Sequence, residues 1–291
     1  MARKLKAALA NYQQQAKRQQ DQERKKKNAI DQNFRHKAAH KAKSQPKAWV
    51  PFAMGLHDYS DEAFVLVGEG DFSFAASVAD QYPSLPLVAT SLDSRAALDD
   101  KYPGEEAAGS TGGAARPGAA ANLAHLAQLG VPVAHEVDAT ALAAHLERDA
   151  VFEDTRVGMA GFLFPHIGNS VADQDRNIRQ HQELLLKFFE QCAAAKIPKV
   201  VLALFEGEPY QSWQAKSLAR SAGYRAERSA RFPWEAFPGY AHQLTSKGGA
   251  HTSKQQSQRA ARLYLFVAAD APPAKKRKNA DADADADEND D

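Results

Sequence analysis

Short apolar runs alternate with amphipathic stretches from residue 63 almost to residue 270. The runs predict seven strands: AFVLVG, PLVATS, VPVAHEV, GMAGFLF, KVVLALF, YRAERSARF and RLYLFVA. Five helices are predicted between them: FSFAASVADQY, AANLAHLAQLG, ATALAAHLERD, DRNIRQHQELLLKFFEQCAAAK and YQSWQAKSLARSAG. The fourth helix repeats apolar residues at the spacing of one buried stripe, Ile178, Leu185, Phe188, Phe189 and Cys192. This alternation predicts an α/β fold with a mainly parallel seven-stranded sheet and helices on both faces.

The two ends of the chain have a different composition from the alternating region. Residues 1–48 contain fourteen Lys or Arg and three acidic residues, so we predict a basic arm that is disordered or becomes helical on a partner. Residues 49–270 form the predicted single domain, with a Gly- and Ala-rich mobile loop at 104–121. Residues 271–291 are a predicted disordered tail, where the basic run PPAKKRK precedes an acidic repeat.

Several classes of protein are excluded by composition. The single cysteine, Cys192, rules out a disulfide framework or a cysteine-based zinc site within one chain, and its helical, Ala-rich setting predicts a buried structural thiol. The chain has no apolar run long enough for a membrane span and no apolar N-terminal segment typical of a secretory signal. We therefore expect an intracellular, nuclear protein with no membrane partner and no metal, and we expect a monomer because no spare apolar helix face is apparent.

The segment FVLVGEGDFSFAASVAD joins the first predicted strand to the first predicted helix. In an open parallel sheet, ligands bind beyond the carboxyl ends of the strands. Gly68 and Gly70 permit positive φ angles and close approach of a ligand to the backbone, and Asp71 or Ser73 is a candidate cap for the helix. The alternative is a tight, capped turn that binds nothing.

The charges around this turn favour one class of cofactor. A dinucleotide fingerprint, G-x-G-x-x-G, would need a third glycine where Ser73 stands, and the carboxylate of Glu69 would repel a pyrophosphate. S-adenosylmethionine has no phosphate and carries two cationic groups, so it suits the turn better than NAD. Asp93 after the second strand is a candidate to accept hydrogen bonds from a ribose, and Asp138 after the third is a candidate for an adenine amino group. Each of them alone is more often a helix cap, and the acidic positions at the ends of the first three strands are a stronger signal together.

Several motifs in order resemble one known family. They are VGEGDFSFAASVA, ATSLDS, KYP, NLAHLAQLGVPVAHEVDAT, FLFPHIG, NIRQHQELLLKFF, GEPYQSW and FPGYAHQLT, and they cover roughly residues 62–267. Together they resemble the eukaryotic 25S rRNA (uridine-N3)-methyltransferase family. The resemblance implies a Rossmann-like methyltransferase fold, S-adenosyl-L-methionine as cofactor, large-subunit rRNA as substrate and a location in the nucleus and nucleolus. The chain departs from the family pattern at Leu163, where the family has an asparagine in Phe-Asn-Phe-Pro-His.

The chemistry implied by the resemblance identifies candidate site residues. N3 of uridine carries a proton that must leave for methylation, and N3 lies on the pairing edge, so the base must be flipped out. His166, at the end of the fourth strand, is the first candidate for general base, with Pro165 stiffening the turn and Phe164 or Phe162 stacking on uracil. The further substrate-binding candidates are Asn177, Tyr210, Trp213 and Tyr240, with Arg179, Gln182 and His242 as possible additional contacts. A pair of core phenylalanines, a capping histidine and ordinary helix packing are the alternatives.

Three functions are consistent with the sequence to different degrees. The first is an S-adenosylmethionine-dependent methyltransferase acting on N3 of a uridine in large-subunit rRNA, with the basic arm contacting phosphates and the tail engaging the nuclear import machinery. The second is a catalytically inactive ribosome assembly or RNA-binding factor with the same fold, which Leu163 favours. The third is an NAD-dependent oxidoreductase, against which Glu69 and the missing third glycine argue.

Overall fold

The computed structural model describes residues 62–104, 117–168, 173–240, 242–243 and 259–270. The predicted arm, the predicted tail and residues 105–116 of the predicted loop lie outside these residues. The strands are β1 Ala63–Val67, β2 Leu87–Thr90, β3 Val133–Ala134, β4 Val157–Leu163, β5 Lys199–Phe205, β6 Tyr224–Arg231 and β7 Ala261–Ala268. The α-helices are α1 Ser73–Gln81, α2 Arg95–Lys101, α3 Ala119–Gln128, α4 Leu142–Arg148, α5 Gln174–Ala194 and α6 Ala215–Ser221. Short 3-10 turns cover Ala139–Ala141, Ala150–Phe152, Gln211–Trp213 and Trp234–Ala236.

The described strands form one sheet in the order β3-β2-β1-β4-β5-β7-β6. The first five strands run parallel to one another, and β7 lies antiparallel between β5 and β6. The predicted α/β fold with a mainly parallel seven-stranded sheet is therefore confirmed. The order reverses between β1 and β4, so the carboxyl ends of these strands border the crevice where open α/β sheets bind ligands.

Both faces of the sheet are covered, which explains why the central strands are apolar without alternation. All five residues of β1 are buried. Phe64 and Leu66 pack in one apolar cluster with α1 and α3, whereas Val65 and Val67 pack in a second cluster with α5. Strands buried on both faces are typical of parallel sheets, because crossover helices cover each side.

Helix α5 follows the predicted apolar stripe closely. Asp173 caps its start, where the carboxylate accepts hydrogen bonds from the N–H groups of Asp175 and Arg176 at 3.0 and 3.2 Å. Four of the five predicted stripe residues are buried and the fifth, Ile178, packs half-buried against them. The buried face also includes one residue the apolar pattern did not predict, His181.

The irregular elements differ from the sequence predictions for local reasons. Strand β3 has only two residues, because Glu136 adopts a φ of 61° and turns the chain. Helix α3 begins at Ala119, inside the range predicted as loop. The helix predicted over residues 210–223 is two elements, since Gln214 has a φ of 52° between the 3-10 turn and α6. The short helix α2 was not predicted, and only Leu98 in it is buried.

Candidate active site at the carboxyl ends of the strands

The turn after β1 is shaped by two glycines that pack against aromatic rings. Gly68 has a φ of +72°, and a Cβ on it would lie 2.6 Å from Cε2 of Phe162. A Cβ on Gly70 would lie 3.2 Å from the hydroxyl of Tyr102. The turn therefore excludes a side chain at Gly68 and leaves little room for one at Gly70, and the absence of side chains allows a ligand to approach the backbone.

The residue with the left-handed conformation at the start of α1 is Phe72. Phe72 is the N-cap, with a φ of 60°, and occupies the fifth position of a G-x-G-x-F pattern. Its side chain is fully buried and meets His135 edge-on at 5.9 Å between ring centroids. The turn thus ends on a strained aromatic residue whose burial holds it in place, and Ser73 stands where the third glycine of a dinucleotide fingerprint would be.

Asp71 connects the turn to three other parts of the chain. Its Oδ1 accepts hydrogen bonds from the amide and hydroxyl of Ser73, at 3.0 and 2.7 Å, but the N-cap of α1 is Phe72, so the prediction that Asp71 or Ser73 caps this helix is wrong. Its Oδ2 accepts from Nε2 of Gln243 at 2.7 Å, and its carbonyl accepts from Nδ2 of Asn122 at 2.8 Å. These bonds fix the carboxylate, which is 4% exposed, between the turn and the segment that contains Gln243.

Glu69 places a second carboxylate at the start of α1. Its Oε2 accepts a hydrogen bond from the N–H of Ala75 at 3.1 Å. Burial raises the pKa of Glu69 to about 8, and the nearby charge of Asp71 adds to the effect, although the Ala75 bond opposes it. An N–H group at this helix start is therefore already satisfied by the chain's own carboxyl group, which leaves the position unsuited to a pyrophosphate.

The other two predicted cofactor residues stand at the ends of β2 and β3. Asp93 forms an ion pair with Lys101 on α2, with 2.8 Å between Oδ2 and Nζ. Oδ1 of Asp138 accepts two bonds from Thr140, both 2.8 Å long, so Asp138 caps the 3-10 turn that follows β3. Within the described residues, Asp93 Oδ1 and Asp138 Oδ2 make no hydrogen bond, so each carboxylate keeps an oxygen for a ligand.

The end of β4 brings the predicted catalytic residues together in an aromatic cluster. Phe164 has a φ of 52° and is 8% exposed, and its ring contacts Phe205 at 4.6 Å, His242 at 4.8 Å and Phe232 at 5.2 Å. Trp234 stacks on it with 5.4 Å between centroids and an interplanar angle of 12°. Pro165 is buried next to it. Phe162 is buried on the other face of the sheet, where it meets Phe188 edge-on at 5.1 Å.

His166 emerges at the surface beyond this cluster. Its Nδ1 accepts a hydrogen bond from the N–H of Gly168 at 2.9 Å, so the neutral ring carries its proton on Nε2. Partial enclosure of the ring lowers the pKa of His166, and the neighbouring His181 lowers it further. The imidazole is therefore neutral at pH 7 and keeps a lone pair on Nδ1.

The predicted substrate-binding residues pack against neighbours of His166 and Phe164. Tyr210 and Trp213 pack on each other at 4.9 Å, and Trp213 stacks on His181. The backbone carbonyl of Asn177 accepts a hydrogen bond from His181. Tyr240 stacks on Trp234 at 5.7 Å, and burial together with the nearby Glu69 raises its pKa well above the usual range.

Sequence reasoning missed four residues of this region. They are His181, Gln243, Trp234 and Arg259, whose guanidinium lies 4.2 Å from the ring centroid of Phe205. His181 alone left a signal, since a polar residue stood in phase with the apolar stripe of α5. In the described residues, no group of three or more His, Cys, Asp or Glu is arranged to hold a metal ion, and no helix is both long and apolar enough to cross a membrane.

Comparisons with known proteins find a family model and several relatives that match this chain. Residues 65–244 match the model of a family described as rRNA (uridine-N3-)-methyltransferase, BMT5-like. The chain is 32% identical over 259 residues to a Saccharomyces cerevisiae protein named 25S rRNA (uridine(2634)-N(3))-methyltransferase, covering 71% of this chain and 72% of that one. It is 34% identical over 190 residues to the ferredoxin-fold anticodon-binding domain-containing protein 1 homolog of Mus musculus, covering 60% of this chain and 27% of the mouse protein. Among solved structures, TrmN of Thermus thermophilus aligns with a TM-score of 0.40 at 13% identity, over 77% of this chain and 49% of that one.

Proposed function

The chain belongs to the BMT5-like family of rRNA (uridine-N3-)-methyltransferases, and we propose that it methylates N3 of a uridine in large-subunit rRNA. The observation that carries the proposal is the juxtaposition of the glycine turn after β1 with the histidine turn after β4. These two turns flank the reversal in strand order, the place where an open α/β sheet holds a ligand.

The residues around the glycine turn fit S-adenosyl-L-methionine. This cofactor supplies a methyl group on a cationic sulfonium and also carries an ammonium group. Glu69 provides a carboxyl group at the turn, and this group favours a cationic ligand. A phosphate is disfavoured, because the Ala75 N–H that it would use already donates to Glu69. We propose that the backbone of Gly68 and Gly70 lines the cofactor and that Asp71 and Ser73 hold the turn in shape.

The free carboxylate oxygens at the next two strands suit the nucleoside half of the cofactor. Asp93 Oδ1 is placed to accept hydrogen bonds from ribose hydroxyls, with Lys101 fixing the other oxygen. Asp138 Oδ2 is placed to accept one from an adenine amino group. Because β1, β2 and β3 are parallel neighbours, these acidic residues all stand at the same edge of the sheet.

His166 is our candidate for the group that takes the N3 proton. The tautomer set by Gly168 leaves the lone pair on Nδ1, so this nitrogen is the basic atom once the target base displaces the Gly168 amide. The proton and the methyl group both use the in-plane direction at N3. His166 must therefore remove the proton before N3 attacks, which makes deprotonation a separate step.

The aromatic cluster is the proposed floor under the target base. Phe164 is held by Trp234, Phe205 and His242, so its ring and Pro165 fix the turn that presents His166. We propose that a flipped uracil lies against the exposed edge of this cluster, near Tyr210 and the guanidinium of Arg259, which lies 5.4 Å from the Tyr210 ring centroid.

An inactive RNA-binding factor is the second candidate, and Leu163 is the observation that favours it. Leu163 is half-buried and packs against the apolar core, so it offers no amide to a substrate at this position. The catalytic proposal instead relies on His166, three residues further along the chain. Transfer of a methyl group to rRNA separates the two candidates.

We also propose a nuclear location and a monomeric state. The run AKKRK near the C-terminus is typical of a nuclear-import signal, and pre-ribosomal RNA is assembled in the nucleus. Fusion of a fluorescent protein to the chain tests the location, and removal of residues 272–278 is expected to leave the fusion outside the nucleus. Light scattering of the purified chain tests the monomeric state.

The glycine turn provides the experiment for the proposed cofactor site. Gly70→Arg is expected to abolish binding of S-adenosylmethionine measured by calorimetry, because the long cationic side chain would crowd Tyr102 and fill the turn where the cationic cofactor is proposed to bind. Cys192→Ala is the matched control, since Cys192 is buried in the second apolar cluster, and is expected to bind normally. Normal binding by Gly70→Arg would refute the placement of the cofactor.

A further inference from the structure

His181 is a second imidazole beside His166, and it lies on the buried face of α5. It is 1% exposed, and its ring stacks on Trp213 with 4.1 Å between centroids and an interplanar angle of 10°. The His166 ring meets it at 5.1 Å and 62°. The indole therefore fixes the plane of His181 while one edge-on contact joins the two imidazoles.

The tautomer of His181 follows from its hydrogen bond. Nδ1 lies 2.8 Å from the carbonyl oxygen of Asn177, and a carbonyl only accepts, so Nδ1 carries the proton. Nε2 then holds a lone pair, and this atom is buried without a hydrogen-bond partner among the described residues. A buried acceptor left unsatisfied costs about 1–3 kcal/mol, so its persistence calls for a donor in some state of the protein.

His166 offers the complementary group. Because its Nδ1 accepts from Gly168, its Nε2 carries a proton and is a donor. The burial of His181 lowers the pKa of that ring, which keeps it a neutral acceptor. His166 thus presents an N–H donor and His181 a lone pair, and the two rings are in edge-on contact.

We propose that His181 is a positioning residue for His166, accepting the Nε2–H of His166 directly or through one water when uracil occupies the site. The inference rests on the proposed function. The N3–H bond of uracil breaks, the proton passes to Nδ1 of His166, and the resulting imidazolium donates its Nε2–H to His181. After methylation His166 releases to solvent the proton that its Nδ1 took from N3. The arrangement orients His166 through its far nitrogen, as a third group orients the base in catalytic triads.

Other titratable groups surround the pair and contribute to its pH dependence. His242 packs on Phe164, and burial together with Arg259 and His166 lowers the pKa of His242 to about 4. Arg259, which precedes β7, contributes a fixed positive charge. His242 is therefore neutral over the working range, and the acid limb of the activity profile reports His166 and His181.

Two substitutions at position 181 separate positioning from packing. His181→Phe keeps a ring to stack on Trp213 but removes the acceptor, whereas His181→Gln keeps an acceptor. Methyl transfer from labelled cofactor to rRNA is measured at saturating cofactor from pH 5.5 to 9. We expect His181→Phe to lose roughly tenfold to a hundredfold in rate with unchanged cofactor affinity, and His181→Gln to recover part of the loss. In His181→Phe the acid limb is also expected to move to lower pH, because the imidazolium of His166 loses the acceptor that stabilises its charged form.

A double-mutant cycle completes the test. On a His166→Ala background, His181→Phe is expected to have no further effect on the rate, and an additive loss would overturn the inference. A wild-type rate in His181→Phe would overturn it too, while absence of any transfer by the wild-type protein would instead refute the proposed function. If His181→Phe fails to fold, nitrogen NMR shifts of the unmodified protein decide: a protonated Nε2 on His181 at neutral pH contradicts the proposal.

Discussion

Phe72 shows how a single residue carries both strain and packing at the cofactor turn. A left-handed conformation costs an L-residue about 1–2 kcal/mol, whereas truncating a buried phenylalanine costs about 3–5 kcal/mol. We therefore expect Phe72→Gly to be less stable by about 1–4 kcal/mol, because the lost packing exceeds the strain relieved. Urea unfolding measures this change. Leu129→Ala, at a residue 45% exposed, is the control and is expected to be nearly neutral; greater stability in Phe72→Gly would show that strain dominates.

Glu69 gives the cofactor site a specific pH dependence. With a pKa near 8 its carboxyl is largely protonated at pH 7, and a bound cation favours the ionised form. Cofactor affinity is therefore expected to rise with pH up to about 8, by at most tenfold per pH unit, and proton release should accompany binding at pH 7. Calorimetry in two buffers of different ionisation enthalpy measures the release. Glu69→Gln is expected to release none, and equal release by both proteins would contradict this role.

Single residues were predictable from the sequence when their role followed from local pattern. The glycines of the turn, the cap formed by Asp138 and the buried Cys192 were of this kind. The left-handed conformation of Phe72 was not predicted, because a non-glycine residue with positive φ leaves no pattern in the sequence. A carboxylate's free oxygen, or the tautomer of a histidine, depends on contacts that no spacing in the sequence reveals.

Elements were predictable in proportion to the apolar surface they bury. Strand β1 and helix α5 have continuous or periodic apolar residues and were predicted nearly to their ends. Helix α2 buries only Leu98, so it has no periodicity, yet it supplies the Lys101 that fixes Asp93. Local chain reversals at Glu136 and Gln214 shortened elements that hydrophobic patterns alone would extend.

The start of α5 is the element whose stability we predict most simply. The Asp173 side chain satisfies two free N–H groups of the first turn. Asp173→Ala is expected to lower the free energy of unfolding by about 1 kcal/mol, while Asp173→Asn keeps the cap and should change it little. Chemical denaturation compares the two variants. Equal stability of both would mean that the cap contributes nothing to this helix.

At the scale of the whole molecule, the alternation of strands and helices was sufficient to predict the sheet. It did not predict the contacts between distant segments of the chain at the sheet's carboxyl edge. The bond from Gln243 to Asp71 joins residues 172 positions apart. Arg259 reaches the site because β7 inserts between β5 and β6, an order that the chain sequence does not display. The aromatic cluster around Phe164 likewise gathers residues from β4, β5 and the segment after β6. Long-range contacts of this kind follow from topology.

The basic arm predicts a salt-dependent contribution of the whole chain to RNA binding. Deleting residues 1–48 removes fourteen Lys or Arg and is expected to weaken rRNA binding more at low than at high salt, because phosphate contacts release counterions. Binding curves at several salt concentrations measure the slope for both proteins. A loss of equal size at all salt concentrations would argue against an electrostatic role for the arm.

The most direct measurement is nucleoside mass spectrometry of large-subunit rRNA after incubation with the protein and S-adenosylmethionine. We predict N3-methyluridine in the rRNA, its absence with Gly70→Arg, and a much smaller amount with His166→Ala. Cofactor binding by the protein without any N3-methyluridine, or a methyl group on another atom, would contradict methyl transfer between the glycine turn and the histidine turn.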